Sequence, residues 1–138
     1  MDTSFWFALV VASDNNHLRT AETARGLQRK GEFLVTTTLI LAETHRLILY
    51  KLGAWAGTRF LAQIAKQVEA GFLHVIEVSW AQIVDALCLL DKYKDLPLSL
   101  VDACSAVVMR EGGIARYAGY DEHFRLLEFE QVQPLDRS

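Results

Sequence analysis

Cysteine is scarce. The chain has two, Cys88 and Cys104, with no CxxC and no histidine at metal-ligand spacing around either. Both fall inside expected helices, so they read as structural thiols of a reducing compartment, not as a disulfide or a zinc site. Positive charge is concentrated nowhere: 14 Lys+Arg face 17 Asp+Glu, a net charge of −3, with no basic tail or dense Lys/Arg run. This argues against tight, sequence-independent binding of nucleic acid by charge alone. It leaves open a nuclease whose metal ions supply the local positive charge. The apolar run over residues 5–12 is too short to span a bilayer. It follows only Met1, Asp2, Thr3 and Ser4, without the Lys or Arg of a signal-peptide n-region. It reads as a buried helix of a cytoplasmic protein with no membrane partner. HExxH, Walker and GxSxG motifs are all absent, which leaves a Ser/His/Asp hydrolase without support. There is no repeat, linker or low-complexity segment. With 51% hydrophobic and 22% charged residues, the 138 positions suit one domain with a sizeable core.

Periodicity and turn residues divide the chain into helices and short strands. An apolar helix is expected over residues 5–13, capped by Thr3 or Ser4. Asp14, Asn15 and Asn16 form a turn. A polar helix follows over 17–30, with Leu18, Ala21 and Leu27 on its inner face and Gly31 at its end. Residues 33–37 form an apolar, β-branched strand. Thr38 caps a helix reaching residue 52, whose buried stripe is Leu39, Ile40, Leu47 and Ile48; Gly53 stops it. A helix over 55–70, closed by Gly71, leads to an alternating strand over 73–78. Residues 79–93 are helical, and Asp95, Leu96 and Pro97 turn into a helix that ends at Gly112 and Gly113. A strand over 114–120, a short helix over 121–127 and an edge strand over 130–133, before Pro134, complete the chain. Short strands alternating with helices indicate an α/β domain with a mainly parallel sheet.

Four carboxylates stand out against this frame. Asp102 lies four residues after Leu98 and four before Ala106, on an apolar face that also carries Met109. A carboxylate on such a face must be neutralised, paired or metal-bound. Glu43 repeats the pattern, three after Ile40 and four before Leu47; its plainer reading is a salt bridge with Arg46. Asp121 follows a strand and opens a helix. That position suits an N-cap and equally a site at the C-terminal end of a sheet strand. Asp2, taken alone, is a solvated terminal residue. Taken as a set, carboxylates in one cleft repel and raise each other's pKa unless divalent cations fill it. Oxygen ligands of this kind suit Mg²⁺ or Mn²⁺, which can activate water and stabilise in-line attack on phosphate.

Asp2-Thr3-Ser4 before an apolar helix, Leu41-Ala42-Glu43 after a strand, Leu98-Ser99-Leu100-Val101-Asp102-Ala103, and Tyr120-Asp121-Glu122-His123-Phe124 occur in the order seen in PIN domains. Over essentially its whole length the chain resembles that family, and within it the VapC-type toxins of toxin–antitoxin pairs. The resemblance implies a single PIN-like α/β domain over residues 1–138, a three-layer fold with a short, mainly parallel sheet flanked by helices. It implies an endoribonuclease that hydrolyses RNA phosphodiester bonds with one or two Mg²⁺ or Mn²⁺ ions. Asp2, Glu43, Asp102 and Asp121 match the catalytic, metal-binding acids, with Thr3, Ser4 and Ser99 as supporting hydroxyls. The implied partners are RNA, a cognate antitoxin and a second copy of the chain.

Two positions depart from the family pattern. PIN domains carry a short apolar strand before the first acid, central in the sheet, whereas Met1 alone precedes Asp2 here. A truncated first strand is therefore expected, with a few more apolar residues upstream in the natural protein. Gly119 stands where many relatives carry Ser or Thr, which is expected to weaken the support of Asp121.

Arg46 and Arg110 follow acids on their helices and are candidates to hold RNA phosphate or to balance a carboxylate. Arg19, Arg25, Arg29 and Lys30 read as a solvated helix face. His17, His45, His74 and His123 share no metal spacing, and His123 reads as structural or surface. Phe5, Trp6, Trp55 and Phe60 read as core or dimer interface. The rival from another class is a degenerate PIN scaffold that binds protein or RNA without cutting. A receiver-like domain would need paired acids after its first strand and a Lys after its last, and neither is evident.

Overall fold

A computed structural model describes residues 1–133. The chain runs α1 (Thr3–Val10), α2 (His17–Arg29), β1 (Leu34–Thr37), α3 (Thr38–Leu52), α4 (Ala54–Glu69), β2 (Leu73–Ile76), α5 (Trp80–Lys92), α6 (Leu100–Glu111), β3 (Arg116–Tyr117), α7 (His123–Leu126) and β4 (Glu130–Gln131). This is the expected alternation of helices and strands. Gly53 (φ 95°) and Gly71 (φ 81°) stop α3 and α4 in backbone conformations that a side chain disfavours. Pro134, expected to close the last strand, lies outside the described residues.

The parallel sheet takes the form of two short parallel pairs. In one, Leu34 of β1 is opposite Leu73 of β2 and Thr37 opposite Ile76. In the other, Arg116 of β3 is opposite Glu130 of β4. Met1 and Asp2 join the two. The Met1 ammonium donates to the Val35 carbonyl at 2.8 Å, and the Asp2 N–H donates to the Ala118 carbonyl at 3.0 Å. Successive N–H groups thus bond in opposite directions, as those of a strand between two neighbours do. On the upstream side of Met1 lies a cavity of about 520 Å³, lined by Leu34, Thr36, Val108, Met109, Ala115 and Tyr117 among others.

Two apolar clusters hold the helices. Trp6, Ile40, Ile48, Phe60, Ile64 and Leu73 form the first, joining α1, α3, α4 and β2; Trp6 meets Phe60 edge-on at 6.1 Å. The second gathers α5 and α6 with Tyr117, Phe124 and Phe129. Residues 103–109 of α6 are all buried, so this helix is enclosed on every side.

Several local expectations are corrected. Asp2, not Thr3 or Ser4, caps α1 by accepting from the Phe5 N–H, and Thr37, not Thr38, caps α3. Leu18 is 79% exposed; the inner face of α2 is carried by Thr20, Thr23 and Leu27 instead. Leu98 is buried but precedes α6, because Ser99 is held extended as the N-cap, so the i, i+4 relation with Asp102 does not form. Leu47 is 44% exposed, and the buried stripe of α3 is Ile40, Thr44 and Ile48. The strand expected over 114–120 is limited to Arg116–Tyr117, the only residues of that stretch that pair with β4. Trp55 is 73% exposed, with the Arg59 guanidinium 5.2 Å from its ring, whereas Phe5, Trp6 and Phe60 are core.

Candidate active site

The four acids selected from sequence arrive from four separate elements. Asp2 stands at the start of α1, Glu43 on α3, Asp102 in the first turn of α6, and Asp121 in the loop before α7. All four line one cavity of about 460 Å³, together with Thr3, Ser4, Ser99, Asp14 and Tyr120. No lysine or arginine among the described residues lines it.

Hydrogen bonds at helix starts position three of the acids, and Glu43 is carried within α3. Asp2 is 6% exposed; its Oδ1 accepts from Ser4 Oγ at 2.7 Å and from the Phe5 N–H at 3.0 Å. Ser4 Oγ in turn accepts from the Tyr120 N–H at 2.8 Å. One hydroxyl therefore ties the first acid to the loop that carries the last. The second departure from the family pattern has a geometric consequence here: a Cβ at Gly119 would overlap the Asp2 carboxylate. Asp102 forms a capping box with Ser99: Ser99 Oγ accepts from the Asp102 N–H at 3.1 Å, and Asp102 Oδ2 accepts from the Ser99 N–H at 3.3 Å. Asp121 Oδ1 accepts from the His123 N–H at 2.9 Å.

Burial is the main electrostatic influence. It pushes the Asp2 carboxyl up to about 6, against the lowering influence of Ser4, the Phe5 amide and the terminal ammonium, with Asp102 adding a further push upward. Burial also raises Asp102, the Ser99 bonds oppose that shift, and the charges of Asp121 and Glu43 add to it. The native state therefore keeps a proton on Asp2 between about pH 4 and about pH 6, where the unfolded chain has lost it. Folding stability is expected to fall as pH rises through that window, by up to about 3 kcal/mol. Thermal melts across the window check this against Asp2→Asn, whose amide does not titrate. Parallel curves for the two proteins would show that Asp2 titrates as an ordinary carboxyl.

Two residues at the site escaped sequence reasoning. Asp14 was placed in a turn, and it does accept from the Asn16 N–H at 2.8 Å, but it also lines the cavity. His123, expected to be structural or at the surface, stands beside two of the acids. Its Nδ1 lies 3.0 Å from Asp121 Oδ1 and 3.9 Å from Asp102 Oδ2. The carboxylate-to-helix spacing Asp121-x-His123 was the available signal. Arg46 is exposed, 5.7 Å from the Tyr50 ring, and Arg110 lies 5.9 Å from the Phe129 ring; neither lines the acidic cavity.

A PIN-domain family profile matches residues 1–130. The chain belongs to the PIN-domain family. It is 30% identical, over 97% of both chains, to the 23S rRNA-specific endonuclease VapC20 of Mycobacterium tuberculosis, in strains CDC 1551 / Oshkosh and ATCC 25618 / H37Rv. The crystal structure of M. tuberculosis VapC20, described as a sarcin-ricin loop cleaving toxin, superposes with a TM-score of 0.81 at 27% identity, covering 96% of this chain and 97% of that one. The PIN fold expected from the motifs is the fold observed, and the acidic cavity sits in a PIN domain of VapC type.

The donor set suits a hard divalent cation. Among the described residues, five carboxylates and no lysine or arginine line the cavity, an arrangement that repels itself unless cations or protons enter. Thr3 Oγ1 and His123 Nδ1 are buried polar atoms with no hydrogen-bond partner.

Proposed function

We propose that this protein is a VapC-type toxin, a divalent-metal-dependent endoribonuclease that hydrolyses RNA phosphodiester bonds. The observation that carries the reading is the convergence of Asp2, Glu43, Asp102 and Asp121 on one cavity that no lysine or arginine among the described residues lines. These four are the catalytic, metal-binding residues, and the ions are Mg²⁺ or Mn²⁺. Bound there, a divalent ion supplies a Lewis acid that activates water and offsets charge on the phosphate.

The chain's own contribution is placement. Ser4 fixes Asp2 relative to the Tyr120 backbone, and Ser99 holds Asp102 at the N-terminus of a fully packed helix. Helices enclosed in this way resist the mutual repulsion of the acids they carry. Arg46, exposed one turn past Glu43, is the candidate to hold RNA backbone. Arg110, which lines a separate groove with Lys92 and Phe129, is not part of this reading. Similarity to VapC20 supports ribosomal RNA as the substrate class and an antitoxin as the partner. No helix among the described residues is long and apolar enough to cross a membrane, in keeping with a cytoplasmic location. Exposed Trp55, Trp80 and Leu87 offer apolar surface for a homodimer.

The test is incubation of tag-free protein with 23S rRNA and with a pool of other structured RNAs, in Mn²⁺ or Mg²⁺ and in EDTA. Discrete cleavage products are expected with either metal and none with EDTA. Folded protein that leaves every RNA intact in both metals would favour the non-cutting scaffold.

A further inference from the structure

His123 offers Asp102 and Asp121 a neighbouring donor of a different kind. The Nδ1 atom is buried and has no hydrogen-bond partner, although Asp121 Oδ1 is only 3.0 Å away and Asp102 Oδ2 is 3.9 Å away. The short N···O distance without hydrogen-bond geometry needs explaining. The in-plane direction at Nδ1 passes beside Asp121 Oδ1 and not at it, which leaves the lone pair of an unprotonated nitrogen free for a cation held alongside that carboxylate. Adjacent ligands of an octahedral cation, each about 2.1 Å from the ion, lie about 3.0 Å apart, which is the separation of Nδ1 and Oδ1. One ligand atom each from Asp102, Asp121 and His123 all lie within 4.8 Å of one another. The Asp121 carboxylate also holds the start of α7 by accepting from the His123 N–H, so the ring and the carboxylate are presented as one unit.

We propose that His123 Nδ1 is a metal ligand beside Asp102 and Asp121, and that this nitrogen makes the site favour Mn²⁺ over Mg²⁺. The inference rests on the proposed metal-dependent function of the same cavity. Its chemical basis is ligand softness: Mg²⁺ strongly prefers oxygen, whereas Mn²⁺, although the weakest binder of its transition-metal series, accepts an imidazole nitrogen more readily than Mg²⁺ does. Among the described residues, no other histidine joins Asp102 and Asp121 in this group.

The experiment is pulsed electron paramagnetic resonance of Mn²⁺ added to tag-free protein, using the echo modulation that a directly bound nitrogen imposes, with calorimetric Mn²⁺ and Mg²⁺ affinities alongside. The expected result is ¹⁴N modulation that changes to a ¹⁵N pattern on labelling the histidines and disappears in His123→Asp. In that variant Mn²⁺ still binds, and the ratio of Mn²⁺ to Mg²⁺ affinity falls by roughly tenfold. The labelled wild-type spectrum stands without the variant, should the variant fold poorly. Tight Mn²⁺ binding with no nitrogen modulation overturns the proposal and leaves the carboxylate site intact, with His123 serving as a charge partner of Asp121. Absence of Mn²⁺ binding, in wild type and variant alike, overturns both this proposal and the metal-dependent function beneath it.

Discussion

Asp102→Asn is expected to lower RNA cleavage by at least about 100-fold and to leave the thermal midpoint of the metal-free protein unchanged or higher. The two effects have separate causes. Activity falls because an amide oxygen is a weaker ligand for a hard cation than a carboxylate. Stability does not fall, because the structural duty of Asp102 is to accept a hydrogen bond from the Ser99 N–H, and an amide oxygen also accepts. The substitution removes one charge from a group that Asp121 and Glu43 already push toward protonation; relieving that repulsion stabilises the metal-free fold. Cleavage assays paired with circular-dichroism melts check both halves. A midpoint that drops together with activity would assign Asp102 a structural role and remove it from the proposed site.

The same residue shows what was legible in the sequence and what was not. Asp102 was found as an acid on an apolar helix, but for a geometry that does not exist: Leu98 lies before the Ser99 cap, and the true burial comes from the unbroken run at 103–109. Period and spacing located the helix, whereas the exact start depended on which residue capped it. Leu18 and Leu47 were assigned to buried faces by period alone. Leu18 is exposed, and Leu47 lines the acidic cavity, because a helix face is buried only where another element covers it. Asp2, Glu43 and Asp121 were each ambiguous alone. Their convergence is a tertiary fact, visible beforehand only through the order of motifs that a PIN domain shares. Asp14 belongs to no such motif, and His123 lies within Tyr120-Asp121-Glu122-His123-Phe124 without a metal spacing to mark it. Asp14 reaches the cavity through its turn, and His123 reaches Asp102 and Asp121 because a short helix folds back beside them, contacts that no local pattern encodes.

An extension of four apolar, β-branched residues joined to the amino group of Met1 is expected to raise the thermal midpoint by roughly 6–12 °C, or about 2–4 kcal/mol. Met1 and Asp2 already bond as the end of a strand between two others, to Val35 on one side and Ala118 on the other. Upstream of them the cavity of about 520 Å³ is lined by both β1 and β3. A strand there pairs with both edges and buries its side chains, at roughly 1.5–3 kcal/mol each when fully enclosed. Ordering it costs about 1–2 kcal/mol per residue for the backbone, with side-chain entropy in addition, so the net gain is a small part of the gross. A second gain is electrostatic: the terminal ammonium is held in the cavity at the cost of desolvation, which lowers its pKa, and a peptide bond replaces that charge with a neutral donor to the same carbonyl. Thermal melts of the extended chain, with a proline-containing extension as control, measure the effect. Proline cannot donate to either edge, so a gain of equal size in the control would mean that apolar bulk alone fills the cavity. Hydrogen exchange supplies the second readout, with added protection expected in β1 and β3. The consequence reaches the active site because Asp2 is the next residue along. Anchoring Met1 as a strand residue fixes the carboxylate that Ser4 ties to the Tyr120 backbone, so the extended chain is expected to bind Mn²⁺ more tightly as well as melt later. If only the melt shifts, the strand stabilises the fold without ordering the site, and the placement of Asp2 depends on its own cap.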